Sequence, residues 1–368
     1  MGYQLKNRLD VAIEYEVSDG QYIELPLAQG TTLTELYMVE STKLSVPTLY
    51  VQIEDGLKYF TQYALLDGRR IAVSLSINGQ PLVQSRFRIF GFSSNYNGKT
   101  TTYRIDGYLD CPLYWFGTSC ICYNGTSSYV ISEVARLCGL NAYTDQTHDS
   151  QLWAQGNMTY NDFVSYVVKH GYRNNNSYMV RCLWLDKSLL YKDVNSITTP
   201  TANVIANSSK DGYFTCTDLN IKANSGLNNA SGGYASIMQT SDITGDNLYN
   251  KLTVNKGEAY LNTNQQINSQ IKRGVVQYGF ISPNMNENYW LGTYQNFRYA
   301  KLYNVDCAMI INNPSSLRPL SAFNLVANDT EDTMDTSDSG MYIVDTRTIC
   351  IKGVTYAERI NATRKGVN

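Results

Sequence analysis

The clearest alternation of apolar and polar residues lies in the first third of the chain. From Ile71 to Ile77 every second residue is a branched apolar one, and the residues between them are Ala72, Ser74 and Ser76. A period of two places successive side chains on opposite faces of a β-strand. This stretch therefore predicts a strand with one buried apolar face and one face of small, mostly polar side chains.

Turn residues divide this region into a meander. Asn78-Gly79 follows the first strand, and both positions of a type I′ hairpin turn need a positive φ, which Asn and Gly adopt readily. The returning strand ends at a second turn over residues 95–98, and a third strand is predicted over 101–109.

A further strand is predicted upstream, from Leu44 to Ile53. Pro47 has no N–H to donate to a β-ladder, so this strand is expected at the edge of its sheet. Residues 1–110 are therefore predicted to fold as one antiparallel β-barrel or sandwich.

Helical periodicity begins after Cys111. An apolar stripe predicts one helix over Ser128 to Leu140, with Gly139 as a left-handed cap. A second helix is predicted over Tyr160 to His170, because Thr159 and Asp162 have the spacing of a capping box. We expect Val134 and Leu137 of the first helix to face either Phe163 and Val167 of the second or the strand Met179 to Leu183.

Strands are predicted again at Ser177 to Leu185 and at Leu189 to Asp193, which makes residues 111–195 a small α+β domain. Residues 196–368 have almost no helical pattern and are predicted to be a second β-domain with inserted β-rich segments. Its predicted strands cover residues 213–221, 251–254, 275–281, 302–311, 322–326, 341–344, 348–351 and 354–360.

Composition favours a β-protein that contacts other subunits. Only 17% of residues are charged and 30 are tyrosines. Tyrosine fits half-buried strand faces, and interface cores favour Tyr over charged residues. An AT-rich genome would produce the same bias. The net charge of −2, with basic residues adjoining only in pairs, is unlike a nucleic-acid binder.

Neither a membrane span nor a secretion signal is predicted. No stretch approaches the roughly 18 apolar residues of a membrane helix, and residues 1–10 lack the apolar core of a signal peptide. The eight cysteines are therefore expected to be reduced thiols. Their spacing does not match a zinc site.

No catalytic, cofactor-binding or metal-binding set is predicted, and the chain is not expected to be an enzyme. The sequence contains no nucleophile elbow, HExxH motif, P-loop or dinucleotide-binding glycine pattern. His148 and His170 are interpreted as structural, the second as a cation that suits a helix C-terminus.

Five acidic residues between Asp329 and Asp338 suggest a calcium site, but the EF-hand glycine is missing and a solvated loop is expected. The aromatic stretch Tyr289 to Phe297 is expected to pack in a core or interface rather than to stack on sugars or bases.

The order of these parts resembles a known family. A β-domain is followed by an α+β domain whose second helix opens with Asn157-Met158-Thr159-Tyr160-Asn161-Asp162-Phe163, and then by further β-structure that includes Ser339 to Val344 and Ile351 to Arg364. This layout resembles the central baseplate hub proteins of contractile-tailed phages and the hub part of type VI secretion spikes. The stretch 198–272 has no counterpart in the resemblance.

The resemblance implies a fold and a role. It implies a mainly β fold with two tube-type antiparallel β-barrels in each chain and smaller domains attached. Three chains would form a homotrimeric ring whose six barrels imitate the hexameric tail tube. The implied partners are the tail tube protein above, the central spike protein below and surrounding baseplate wedge proteins. Genome DNA and the tape measure would pass through without specific binding. The expected location is the virion tail baseplate, assembled in the host cytoplasm, and no cofactor is implied.

Several expectations follow from the hub hypothesis. Residues 1–110 and the barrel assembled after Ser209 should share one strand order. The isolated chain should associate, since tube-type barrels leave edge strands open. The channel should be neutral to acidic and lined by small polar residues, with Ser74 and Ser76 as candidate lumen-facing residues.

Two alternatives from other classes remain open. A receptor- or glycan-binding tail protein would use the same tyrosine-rich β-composition, but should carry a terminal lectin-like domain with an aromatic groove. A cell-wall hydrolase would need a cleft with a catalytic Glu or a metal-binding histidine set, for which only two histidines exist.

Overall fold

The computed structural model describes residues 8–27, 31–174, 177–223, 237–241, 248–253, 276–280, 303–327, 329–330, 333–334 and 338–365. The first group of elements is β1 (Leu9–Ser18), β2 (Gln21–Glu24), β3 (Thr31–Ser41), β4 (Thr48–Asp55), α1 (Tyr59–Tyr63), β5 (Arg70–Ile77), β6 (Gln80–Tyr96) and β7 (Thr101–Leu109). The second group is α2 (Pro112–Phe116), β8 (Cys122–Gly125), α3 (Ser127–Leu137), β9 (Asn141–Thr144), β10 (Gln151–Ala154), α4 (Tyr160–His170), β11 (Met179–Leu183), β12 (Ser188–Asp193) and a 3-10 turn (Val194–Ser196). The third group is β13 (Ala202–Ala206), β14 (Phe214–Ala223), β15 (Ile237–Ser241), β16 (Leu248–Thr253), β17 (Val276–Phe280), β18 (Tyr303–Ile311), β19 (Ala322–Val326), β20 (Asp329–Thr330), β21 (Thr333–Met334), β22 (Gly340–Lys352) and β23 (Thr355–Lys365).

Thirteen strands form one continuous sheet, in the order β19-β13-β14-β18-β23-β22-β3-β4-β7-β6-β5-β1-β2. Strand β19 also pairs with β22, so six strands of the third group, β13, β14, β18, β19, β22 and β23, close into a barrel. The strands of the first group continue the sheet from β3 to β2; we call this first group of strands the first barrel and the closed six-strand unit the second barrel. The predicted fold class, mainly β with a small α+β domain, is confirmed.

The two β-regions share one strand order, as predicted, but the second begins earlier than the predicted Ser209, because β13 (Ala202–Ala206) belongs to it. In the first region the order is β3-β4-β7-β6-β5-β1, with β2 added at the edge. In the second the corresponding strands run β14-β18-β23-β22-β19-β13. The pairs along the first five strands of each series are antiparallel in both. The sixth strand differs in direction, because β1 is antiparallel to β5 whereas β13 is parallel to β19.

The predicted hairpin is present between β5 and β6. Asn78 and Gly79 have φ values of 53° and 77°, the left-handed conformation that a type I′ turn requires.

The predicted edge position of the strand that contains Pro47 is wrong. Strand β4 lies between β3 and β7. Pro47 precedes its first residue, and the Pro47 carbonyl accepts a hydrogen bond from the Leu109 N–H at 3.0 Å. Pro47 therefore contributes only its carbonyl oxygen to the ladder. Its missing N–H does not remove a hydrogen bond from the ladder.

The two predicted helices are present, and each begins at a threonine cap. The Thr126 hydroxyl accepts from the Tyr129 N–H at the start of α3, and the Thr159 hydroxyl accepts from the Asp162 N–H at the start of α4. Both contacts satisfy N–H groups that a helix leaves unpaired. Helix α4 has the predicted bounds, whereas α3 ends at Leu137, before the predicted limit.

One core joins the first β-region and the helices. Val134, Phe163 and Val167 are fully buried in this core, but Leu137 is 39% exposed. The predicted burial of Leu137 is wrong, because the residue lies on the flank of the buried stripe formed by Val130, Ile131, Val134 and Ala135.

Two strands predicted over residues 341–344 and 348–351 form one strand, β22. Its two ends pack in different hydrophobic cores. Tyr342 and Val344 pack in the core of the second barrel, and Ile349 and Ile351 pack in the core of the first. Strand β22 therefore passes from one barrel into the other.

Candidate assembly site

The two barrels meet at a seam between β3 and β22. Seven antiparallel residue pairs form it, from Ser41–Thr346 to Glu35–Lys352. The Ser41 Oγ and the Thr346 Oγ1 are hydrogen-bonded at 2.6 Å. The seam makes one sheet of two barrels and fixes their relative position by backbone pairing.

Charged residues lie at the seam, where Glu40, Arg347 and Glu358 are buried and Arg318 is half-buried. Glu40 of β3 forms an ion pair with Arg318, and the Arg347 Nη1 lies 3.9 Å from the Glu40 Oε2. The Arg347 Nη2 donates to the Glu358 Oε1 at 2.6 Å. These alternating charges compensate one another, as buried charges require. We call Glu40, Arg318, Arg347 and Glu358 the seam cluster.

The α+β domain is attached at the same place. The Leu185 N–H donates to the Glu40 Oε1 at 2.8 Å, and the Arg318 Nη1 donates to the Asp186 Oδ2 at 2.8 Å. The Arg318 guanidinium also lies 3.9 Å from the ring centroid of Trp184, a cation–π contact. Both barrels and the α+β domain therefore share one polar junction.

Sequence reasoning missed the seam cluster, although an alternation signal was present. Glu40 continues the inward-facing series of Leu36 and Met38, and Arg347 precedes Ile349 and Ile351 in the same way. A charge at an inward position of a strand indicates a buried ion pair, but the pattern does not name the partner.

A second buried acid lies at the bulge of β22. Asp345 lines a cavity of about 230 Å³ together with Lys43, Asp306 and Thr363. Burial raises the pKa of Asp345 to about 6, while the positive charge of Lys43 and a hydrogen bond from Thr363 oppose the rise.

Ser74 and Ser76, the candidate lumen residues, lie on one face of β5 and are half-buried. Ser74 is opposite Ala12 and Gln84, and Ser76 is opposite Asp10 and Pro81. Both serines line an open groove of about 750 Å³. The structure therefore places the two serines on one face of β5, as the alternation predicts, while the groove also has apolar walls that include Leu9, Leu33 and Val354.

The face of the sheet that points away from the first core carries one ion pair and one arginine bonded to a neutral amide near the seam. The Lys352 Nζ lies 3.5 Å from the Glu35 Oε1, and the Arg104 Nε donates to the Gln52 Oε1 at 3.1 Å. The Tyr37 and Tyr50 rings lie between them, with centroids 5.7 Å apart.

The histidines have the structural surroundings expected, with one correction. His170 is buried at the end of α4, and its Nδ1 lies 2.8 Å from the Tyr166 carbonyl oxygen. Burial lowers the pKa of His170 to about 4. The interpretation of His170 as a helix-terminal cation is therefore wrong, because the ring is neutral at physiological pH. The His148 Nδ1 lies 2.7 Å from the Arg173 carbonyl oxygen in an exposed loop.

The described segments contain no disulfide bond and no metal-binding cluster of side chains. All eight cysteines are free. Within these segments no group of three or more His, Cys, Asp or Glu side chains is placed to hold a metal ion. No helix there is both long and apolar enough to cross a membrane. The aromatic stretch Tyr289 to Phe297, and Glu331, Asp332 and Asp335 of the acidic loop, lie outside the described residues.

The sequence matches no protein-family model and none of the curated proteins compared with it. Solved structures are similar over almost the whole chain. The tail protein from Neisseria meningitidis MC58 has a TM-score of 0.61 at 9% identity, with 97% of each chain covered. The 43 kDa tail protein of prophage MuSo2 from Shewanella oneidensis has a TM-score of 0.60 at 10% identity, with 98% of this chain and 97% of that chain covered. A component of the type VI secretion system from E. coli has a TM-score of 0.52 at 10% identity, with 96% and 76% covered. The chain thus has the fold of these phage tail proteins and of this type VI secretion component, in agreement with the resemblance in its sequence layout.

Proposed function

We propose that this chain is a structural subunit of a phage tail baseplate, a hub in which three copies form a ring between the tail tube and the central spike. One observation carries the proposal. The two β-regions of the chain have the same strand order and lie side by side in one sheet. A chain with two similar units can present six units from three copies, which suits a junction between six-fold and three-fold symmetry.

The seam supports a rigid ring element. Backbone pairing between β3 and β22 and the buried seam cluster hold the two barrels in one arrangement. A fixed angle between consecutive units is needed if a ring is to close with a defined number of copies. Wedge proteins would contact the outer domains, and the tube and spike proteins would contact the two ends of the ring.

A passage through the ring is part of the proposal. Ser74 and Ser76 would line it, and genome DNA and the tape measure would move through without specific binding. Small polar side chains leave the bore wide, and a surface without excess positive charge does not retain phosphate groups. The balanced Lys352–Glu35 pair on the outer sheet face fits such a wall.

A virion component of this kind acts without catalysis. The similar solved structures from Neisseria meningitidis and Shewanella oneidensis are described as tail proteins, which favours a structural role in a tail. The shared strand order of the two β-regions favours the hub over a receptor- or glycan-binding tail protein, for which one terminal binding domain would suffice.

The mass of the purified particle in solution tests the proposal. Light scattering at micromolar concentration is expected to give the mass of three chains, and electron micrographs of the same sample should show rings with six similar lobes. A chain that stays monomeric at high micromolar concentration would contradict the hub.

A further inference from the structure

Strand β6 extends well beyond its partner β5. Pairing with β5 covers residues 80–88, and β7 pairs with β6 as far as Tyr96. A bulge between Ile89 and Gly91 separates the two parts. Gly91–Tyr96, which we call the β6 tail, has β7 on one side. In the described part of the chain no strand lies on its other side.

Strand β22 has the same layout, but its second part is covered. Pairing with β19 ends at Ile343, a bulge lies between Val344 and Thr346, and residues from Thr346 onwards pair with β3. The Asn97 N–H bonds to the Thr100 carbonyl, so both hairpins close with two-residue turns, Gly98-Lys99 and Gly353-Val354. When these turns are aligned, Ile351 corresponds to Tyr96, and Asp345 in the bulge of β22 corresponds to Phe90 in the bulge of β6. The β6 tail therefore occupies, in the first barrel, the position that forms the seam in the second.

The counterpart of the covering strand β3 is β14. Strand β18 pairs with β14 along Cys216–Ala223, whereas β13 reaches only Phe214–Cys216. Among the described strands none pairs with the β13 side of β14 after Cys216. Each chain therefore carries one uncovered edge of the β22 type and one uncovered edge of the β3 type.

The side chains of the β6 tail do not prevent its free edge from pairing with another strand. Natural proteins blunt free strand edges with charges or proline, but Gly91–Tyr96 contains neither. Phe90, Phe92 and Tyr96 are 45%, 44% and 62% exposed. An uncharged strand edge with two exposed aromatic side chains, and a third at the adjoining bulge, fits a strand that becomes covered on assembly.

We propose that the β6 tail of one copy pairs antiparallel with β14 of a second copy, and so repeats the β3–β22 seam between subunits. The contact is head-to-tail, because each chain supplies one edge of each type, and such contacts generate rings when the rotation closes. The number of copies rests on the proposed hub function; the strand pairing itself rests on the internal repeat.

The repeat also fixes the register. In the seam Tyr37 is opposite Cys350. Cys350 corresponds to Asn95 in the alignment of the two hairpins. Tyr37 is paired with Tyr50 and Asn220 with Ala308. Since Tyr50 and Ala308 occupy equivalent positions in the two barrels, Tyr37 corresponds to Asn220. Asn95 of one copy is therefore expected to lie opposite Asn220 of the next. The neighbouring pairs are Ser94 with Ile221 and Ser93 with Lys222.

Disulfide formation tests this register. In a chain with the exposed Cys120 and Cys122 replaced by serine, Asn95→Cys and Asn220→Cys place two thiols on one face at opposed positions. Opposed positions in an antiparallel pair have the Cα separation that a disulfide needs. Mild oxidation is expected to give covalent multimers on a non-reducing gel. The control combines Ser94→Cys with Asn220→Cys, whose side chains point to opposite faces, and is expected to remain single chains.

A proline variant tests the edge itself. The Asn97 N–H bonds to the Thr100 carbonyl at the turn, so alternation directs the Ser94 N–H away from β7 and towards the uncovered side. Ser94→Pro removes that donor without breaking the β6–β7 ladder, whereas Ser94→Ala keeps it. The concentration for half-dissociation is expected to rise about tenfold or more in the proline variant and to stay unchanged in the alanine variant.

The outcomes separate this inference from the hub proposal. If the wild-type chain forms its ring but gives no crosslink in the Asn95/Asn220 variant and tolerates Ser94→Pro, the strand pairing is wrong and the hub stands. If the wild-type chain is monomeric at high micromolar concentration, both are wrong. Selective crosslinking together with proline-induced dissociation supports the pairing.

Discussion

Glu40 of β3 and Arg318 of the β18–β19 connection form an ion pair across 278 positions of sequence, with only 1% of the Glu40 side chain exposed. The same carboxylate accepts the Leu185 N–H of the α+β domain. One side chain of the first barrel thus contacts both other parts of the molecule, so its loss should affect all three.

Glu40→Ala is expected to lower the free energy of unfolding by about 3–5 kcal/mol, because it removes a partner of the buried Arg347 and of the half-buried Arg318. Denaturant titration measures the change. Glu133→Ala is the matched control, since Glu133 pairs with Arg136 on the exposed side of α3 and exposed pairs contribute little. Equal losses in the two variants would show that the seam cluster has no special role.

Phe163→Ala should lower the free energy of unfolding by about 3–5 kcal/mol, since its ring is fully buried between the helices and the sheet. The ring stacks on Tyr123, with centroids 5.6 Å apart, so truncation leaves a cavity. Thermal denaturation is the measurement, and Leu152→Ala, at a side chain that is 73% exposed, is the control. An unchanged melting temperature for Phe163→Ala would contradict the packing of α4.

Asp345 is expected to make stability depend on pH. Its pKa is about 6 in the folded chain, against about 4 for an unfolded aspartate. Because folding favours the protonated acid, its contribution is fully present below about pH 4 and is lost as the pH rises through 6. Asp345→Asn keeps a neutral side chain at every pH, so it should stabilise the protein at pH 7.5 by on the order of 2 kcal/mol and have little effect at pH 4.

Melting curves of the Asp345→Asn variant at the two pH values provide the test. Asp67→Asn, at an exposed loop residue, serves as the control for removal of one negative charge. A stabilisation that is the same at pH 4 and pH 7.5 would show that Asp345 does not titrate in this range.

The proposed channel predicts a specific gain of DNA binding. Ser74→Arg with Ser76→Arg would place a ring of positive charge in the bore, and each phosphate contact adds affinity and salt dependence. The assembled particle is therefore expected to retain duplex DNA more strongly than a control with arginines at Tyr143 and Leu152, two exposed positions of the α+β domain. A salt series of DNA binding measures both. Identical retention in the two variants would remove Ser74 and Ser76 from the channel wall.

Local signals were sufficient for part of the fold. The Asn78-Gly79 turn and helix α4 are determined by residues within a few positions, and both were predicted with the correct type and place. The segment Asp345-Thr346-Arg347 instead separated two predicted strands, because three polar residues in a row are typical of a turn. These residues lie within β22 because the seam and the second barrel supply the partners.

The candidate site was predicted only in part for the same reason. Alternation located Ser74 and Ser76 on one face, since a strand's own period determines its faces. The seam cluster depends on residues that are far apart in sequence, and no local pattern identifies such partners. The internal repeat was expected from the order of the parts, whereas the edges that it leaves uncovered became visible only from the strand pairing.

The seam has a consequence for synthesis on the ribosome. Ser41 and Thr346 are 305 positions apart, and Ile349, Ile351 and Tyr356 complete the core of the first barrel. The core of the first barrel therefore cannot be completed until almost the entire chain has been translated. During that interval β3 is an open edge, and long-range strand pairing of this kind is slow and prone to aggregation. The yield of native protein is therefore expected to depend on translation speed and chaperone supply as well as on final stability.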